Sequence, residues 1–205
     1  MARKSSKKSA SKSAARRPKA APPKRSAKST AKASRKTVKK SAKPEPPKAA
    51  SGALQIGDSA PDFTLKRDGD TTVRLADFAG RKLVIFFYPR ADTPGCTLEA
   101  IAFTKLANDF EKAGTSVRGM SGDDVGAQTR FRDKHELCVP LAADADLSTI
   151  KAYGVWGEKS MYGRTFMGIV RTTVLVGKDG RIARLWRSVK VDGHAAEVLE
   201  AARAL

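Results

Sequence analysis

The stretch Lys82-Leu83-Val84-Ile85-Phe86-Phe87-Tyr88-Pro89-Arg90-Ala91-Asp92-Thr93-Pro94-Gly95-Cys96-Thr97-Leu98-Glu99-Ala100 decides the fold. Residues 82–88, apolar throughout after Lys82 and with β-branched and aromatic content, read as a strand buried on both faces. Pro89 ends it. A helix is predicted to open near Cys96, with Leu98, Ala102, Leu106 and Phe110 recurring along one face and Ile101, Phe103 and Ala113 widening the stripe. Gly114 is its natural stop. A buried strand, a proline, a short loop and a cysteine in the first turn of a helix therefore follow one another.

Outward from that core, the pattern predicts strands over 62–66 and 72–75 about the turn Asp68-Gly69-Asp70. It predicts further strands over 115–120 and 139–143, and helices over 125–136 and 147–153. A hairpin over 170–176 and 181–186 turns at Lys178-Asp179-Gly180, and a helix over 195–204 closes the chain. Parallel strands joined by helices require right-handed crossovers, which put helices on both faces. A β-α-β half followed by a β-β-α half is the order of an α/β, thioredoxin-like fold with a mixed central sheet.

The charge divides the chain in two. Residues 1–52 hold 18 of the 40 Lys/Arg and one acid, Glu45, whereas residues 53–205 are close to neutral. The first segment is built almost wholly of Lys, Arg, Ala, Ser and Pro, contains no Phe, Tyr, Trp, Leu or Ile, and carries Lys-Lys-Ser-Ala at both 7–10 and 39–42. Such a composition cannot bury enough apolar surface to offset the entropy of ordering, so residues 1–52 are expected to be a disordered basic tail, with Pro44, Pro46 and Pro47 leading into a folded domain over 53–205. No apolar run approaches the roughly 20 residues of a membrane span, and no apolar h-region follows the basic start. Two cysteines, Cys96 and Cys138, are too few for a secreted disulfide scaffold. These features predict a cytoplasmic protein with no membrane partner, nucleoid-associated if bacterial and nuclear if eukaryotic; a transit peptide is the alternative reading of the tail.

Cys96 carries the chemistry. Unpaired backbone N–H groups and the positive end of the dipole at a helix start favour a thiolate, which is the nucleophilic form of cysteine. Pro89 and Pro94 stiffen the loop, and Thr93 is placed to hydrogen-bond the sulfur or an attacked oxygen. The competing reading is a small buried hydrophobe. His135 and His194 lack ligand-like spacing, so no metal site is expected.

Pro89, Thr93 and Cys96 fit Pro-x-x-x-Thr-x-x-Cys, and the chain over about 54–204 resembles the peroxiredoxins, in particular the bacterioferritin comigratory protein or peroxiredoxin Q subgroup. Gly57-Asp58-Ser59-Ala60-Pro61-Asp62-Phe63, Tyr153-Gly154-Val155-Trp156-Gly157-Glu158-Lys159 and Gly163-Arg164 match its other signatures in order. The resemblance implies a thiol-dependent peroxidase in which Cys96 attacks a hydroperoxide and becomes a sulfenic acid, with no metal or organic cofactor. It implies that Arg171 stabilises the thiolate, that Thr93 and the backbone of Gly95 and Cys96 hold the peroxide, and that Pro89 keeps water away. Glu99 also fits the subgroup, although a carboxylate in a first helical turn can simply complement the dipole.

One position departs from the subgroup. Many members carry a resolving cysteine five residues after the first, where this chain has Ile101. The inferred topology puts Cys138 at the far end of its strand, roughly 16 Å from the active end at about 3.3 Å per residue, beyond disulfide reach. Cys138 is therefore read as a core residue rather than a resolving one, with thioredoxin or a glutaredoxin-like protein as external reductant and a monomer or weak dimer as the assembly. Two alternatives differ in class: a peroxide sensor that hands its oxidation to a partner, and a nucleic-acid-associated protein acting through the non-specific affinity of residues 1–52 for phosphates.

Overall fold

The computed structural model describes residues 54–161 and 163–205; the expected tail and linker over 1–52 lie outside them. Among the described residues, seven strands form one mixed sheet and two further strands pair as a separate hairpin. At its centre are β3 (Lys82–Phe87), β4 (Thr115–Ser121) and β5 (Leu141–Ala143), mutually parallel, with Phe86 beside Gly119 and Gly119 beside Leu141. On the other side of β3, β8 (Thr172–Val176) runs antiparallel and is followed by β9 (Ile182–Arg187). β1 (Thr64–Arg67) lies antiparallel on β5 and carries β2 (Thr71–Arg74) at the edge. This is the α/β, thioredoxin-like arrangement that the element order predicts.

The alternation along β3 explains its continuous apolar sequence. Val84, Phe86 and Tyr88 join one core with Cys96, Phe103, Phe110, Phe131, Val198 and Leu199. Leu83, Ile85 and Phe87 join the other with Phe63, Phe78, Ile150, Tyr153 and Val174. Both faces of the strand are thus covered, so neither set of positions can be polar. The first core is closed by α1 (Pro94–Lys105), α2 (Ala107–Lys112), α3 (Val125–Lys134) and α5 (His194–Arg203); α4 (Ser148–Ala152) packs into the second. Phe86 and Phe103 stack at 4.6 Å between centroids, which fixes α1 over the end of β3.

Several expectations are corrected. The single helix predicted from Cys96 to Gly114 starts earlier, at Pro94, and is interrupted at Leu106, where the chain leaves helical geometry between α1 and α2. Its buried face is Cys96, Glu99, Ala100 and Phe103, whereas Leu98, assigned to the apolar stripe, is 62% exposed. The stripe was displaced because a sulfur and a carboxylate occupy inward positions that hydrophobicity does not mark. β5 begins at Leu141, after Pro140, rather than at Val139, and β8 begins at Thr172 rather than Val170. The hairpin of β6 (Trp156–Met161) and β7 (Arg164–Ile169) was read only as signature sequence and not as structure; its Gly-rich, charged strands lack a clear alternation.

Candidate active site

Parallel β3 delivers the chain to its C-terminal end, where Tyr88 and Pro89 open the loop that leads to α1. Thr93 is the residue before the helix, and Pro94 occupies its first position, where a missing N–H costs nothing. Cys96 is the third helical residue and is 1% exposed. The first turn of a helix leaves its N–H groups without intrahelical acceptors, and Gly95 and Cys96 both lie in that turn.

The structure brings Arg171 to this point from the short segment between β7 and β8. Its Nη2 donates to Cys96 Sγ at 3.3 Å, and its Nη1 donates to Glu99 Oε2. Glu99 is 1% exposed and its Oε1 is buried with no partner. Burial pushes the Glu99 carboxyl up to about 7, against the pull of the Arg171 charge. Burial also works against the charge on Arg171, but Glu99 and Cys96 together more than offset it and hold its pKa above the ordinary value. Glu99 follows Cys96 by three positions, so both lie on one face of α1 and one guanidinium spans them. Glu99 is thus a buried partner of Arg171, and because α1 opens at Pro94 it lies beyond the first turn, where a carboxylate would complement the dipole.

Gly95 has a steric reason to be glycine: a Cβ there would stand 3.2 Å from Arg171 Nη2. Thr93 does not bond the sulfur. Its hydroxyl donates to the Arg90 carbonyl at 3.0 Å, leaving its lone pairs free to accept. Pro89 and Arg90 border a cavity of about 420 Å³ whose other wall includes Trp156, Lys159, Phe166, Met167 and Ile169. Lys159 donates to the Ile169 carbonyl at 3.0 Å, and burial, with repulsion from Arg171, lowers its pKa. Sequence reasoning missed Lys159, and it missed Asp123, which accepts from the Ala91 N–H at 2.7 Å. Lys159 closes a signature that gives it no role and Asp123 carries no local pattern; only the meeting of the hairpin and the β4–α3 turn with the loop reveals their places.

Cys138 is elsewhere. It is a free, exposed cysteine and lines a cleft with Arg81, Thr115, Ser116 and Arg118, at the N-terminal ends of β3 and β4. Its assignment to the core is corrected, because β5 starts three residues later and leaves Cys138 in the preceding loop. His135 bonds Asp92 at 2.7 Å and His194 bonds Thr173 at 2.8 Å. Among the described residues, no group of three or more His, Cys, Asp or Glu could hold a metal ion, and no helix is long and apolar enough to cross a membrane.

The AhpC/TSA family model matches residues 56–185. Peroxiredoxin Bcp of Bacillus subtilis is 40% identical over 147 residues, covering 72% of this chain and 94% of that protein. Among solved structures, Peroxiredoxin Q of Xanthomonas campestris has a TM-score of 0.68 at 40% identity, covering 74% of this chain and 96% of that one. The bacterioferritin comigratory protein of the same organism, described by its alkyl peroxide reduction activity, matches with a TM-score of 0.68 and 40% identity over 74% of this chain and 96% of its own.

Proposed function

The chain belongs to the AhpC/TSA family and is a thiol-dependent peroxidase of the peroxiredoxin type, and from that premise we propose that Cys96 is its peroxide-attacking residue. The observation that carries this reading is the Arg171 guanidinium 3.3 Å from Cys96 Sγ, held on its other side by buried Glu99. A fixed positive group there stabilises the thiolate and the negative charge that moves onto the departing oxygen. The thiolate attacks one oxygen of a hydroperoxide, the O–O bond breaks, and the second oxygen leaves and takes a proton as water or an alcohol. The product is a Cys96 sulfenic acid. Two equivalents of an external thiol return it to thiol, releasing water and a disulfide; thioredoxin or a glutaredoxin-like protein fits that role.

Thr93, whose proton is committed to Arg90, accepts from the peroxide O–H, while the N–H groups of Gly95 and Cys96 hold the oxygens in line. Pro89 narrows the approach of water. The apolar wall of Trp156, Phe166, Met167 and Ile169 beside Pro89 suits the organic part of an alkyl hydroperoxide as well as hydrogen peroxide. The test is peroxide consumption with a thiol reductant by the wild type and Cys96→Ser. The variant is expected to be inactive, and consumption at the wild-type rate would remove Cys96 from the mechanism.

A second reading concerns residues 1–52, whose 18 Lys/Arg against one acid suit non-specific binding to nucleic-acid phosphates. The absence of aromatic residues there argues against base stacking. In a gel-shift comparison, the full chain is expected to retard DNA at low salt and lose it steeply as salt rises. A chain beginning at Ala53 is expected to bind no DNA and keep full peroxidase activity. Equal DNA binding by both chains would move the affinity out of the tail.

A further inference from the structure

A run of hydrogen bonds leads from the core to the active loop. The Tyr88 hydroxyl donates to Gln128 Oε1; Gln128 Nε2 donates to Ser121 Oγ at 2.8 Å; Ser121 Oγ donates to Asp123 Oδ2 at 2.7 Å. The same Asp123 oxygen accepts from the Ala91 N–H at 2.7 Å. Tyr88, Gln128 and Ser121 are each fully buried, so their rotamers are set by packing. Every donor in the run points toward Asp123, which therefore serves as the common acceptor. Tyr88 and Ala91 belong to the same loop, so the run braces the loop at its root and at its middle.

The consequence for the chemistry lies in one peptide unit. The N–H of Ala91 and the carbonyl of Arg90 belong to the same planar group and point in opposite directions. Fixing the N–H on Asp123 therefore fixes the direction of the Arg90 carbonyl, and that carbonyl takes the proton of Thr93 at 3.0 Å. We propose that Asp123 is a positioning residue for peroxide reduction, acting through the Arg90–Ala91 peptide to orient the Thr93 hydroxyl. With the proton of Thr93 directed to Arg90, its lone pairs face the substrate as acceptors. Without Asp123 the peptide is free to rotate, and Thr93 can turn its proton away from Arg90. The inference rests on the role given to Thr93 above. Asp92, the next residue, is held separately by Lys134 and His135, both at 2.7 Å, so loss of Asp123 releases the peptide without releasing the whole loop.

The test is a double-mutant cycle in a Cys138→Ser background, where Cys96 is the only thiol. Two rates are measured: oxidation of Cys96 by hydrogen peroxide, and its alkylation by iodoacetamide, which needs no peroxide alignment. Asp123→Ala is expected to slow oxidation about 10- to 100-fold, the scale of a small misplacement of reacting groups, and to leave alkylation within about twofold. Asp123→Asn, which keeps an acceptor oxygen, is expected to recover most of the loss. Asp123→Ser, too short to reach the Ala91 N–H, is the second variant, with the same expectation as alanine if alanine does not fold. Thr93→Val is expected to slow oxidation, and adding Asp123→Ala to it is expected to cost nothing further. Equal slowing of oxidation and alkylation, or full additivity with Thr93→Val, would overturn the inference alone. Oxidation of Thr93→Val at the wild-type rate would overturn the role of Thr93 along with it.

Discussion

The two cysteines lie at opposite ends of the same parallel strands, and arginines stand near both. Cys96 follows the C-terminal end of β3, whereas Cys138 precedes β5 in a cleft shared with Arg81 and Arg118. The difference is what the cation is bound to. Arg171 is clamped by Glu99 and aimed at the sulfur, but Arg118 donates to the Val117 carbonyl at 2.7 Å and lies over the Phe78 ring at 4.9 Å. Cys96 also has a helix start beneath it, and Cys138 has none. A nearby positive charge is thus common to both regions; a directed charge, a buried sulfur and free backbone donors coincide only at the end of β3. In open α/β sheets that is the end at which crossovers leave space for a site.

The contrast breaks most severely if Arg171 is neutralised. Arg171→Met is expected to slow Cys96 oxidation by about 100- to 1,000-fold, the scale for losing one electrostatic stabiliser of a transition state. Stopped-flow oxidation measures it, and a loss under threefold would leave Arg171 no directing role. Glu99 sharpens the comparison through pH. With its carboxyl raised from 4.5 to about 7, the folded chain keeps a proton that the unfolded chain gives up in between. That contribution to stability is fully present below about pH 4.5 and is lost as pH rises through 7. The loss amounts to on the order of 3 kcal/mol, at about 1.4 kcal/mol per pH unit. Urea unfolding of Glu99→Gln at pH 5 and pH 8 is expected to show a smaller difference than the wild type; equal differences would contradict the assignment.

Gly95→Ala is a milder perturbation with opposite signs in activity and stability. The new Cβ meets Arg171 Nη2 at 3.2 Å, so the guanidinium shifts from the sulfur and oxidation slows roughly threefold, well below the cost of a 1 Å misplacement. Helix stability rises by up to about 1 kcal/mol. A faster variant would mean that Arg171 is not held where the geometry has it. The smallest effect is at the other end of the sheet: Cys138→Ser is expected to retain wild-type turnover with an external thiol, and a turnover loss beyond about twofold would give Cys138 a part in the cycle.

The sequence made the sheet's centre legible because β3 is covered on both faces and so is apolar at every position after Lys82. Cys96 was legible from its place after that strand. The inward face of α1 was not, since Glu99 lies on it and Leu98 lies off it. Hydrophobicity scales cannot mark a carboxylate that is buried because an arginine from beyond β7 reaches it. The exposure of Cys138 depended on where β5 begins, and strand ends are set by pairing with β4 rather than by local preference. Asp123 and Lys159 became visible only when distant segments met at the loop.

The central claim is that peroxide chemistry is confined to the end of the sheet where Arg171 faces Cys96. Peptide mass mapping after one equivalent of hydrogen peroxide, with a sulfenic-acid trap present, tests it most directly. The account predicts one trapped adduct, on the Cys96 peptide, with Cys138 still a free thiol. A trapped adduct on Cys138, or a stoichiometric Cys96–Cys138 disulfide within the monomer, would contradict it.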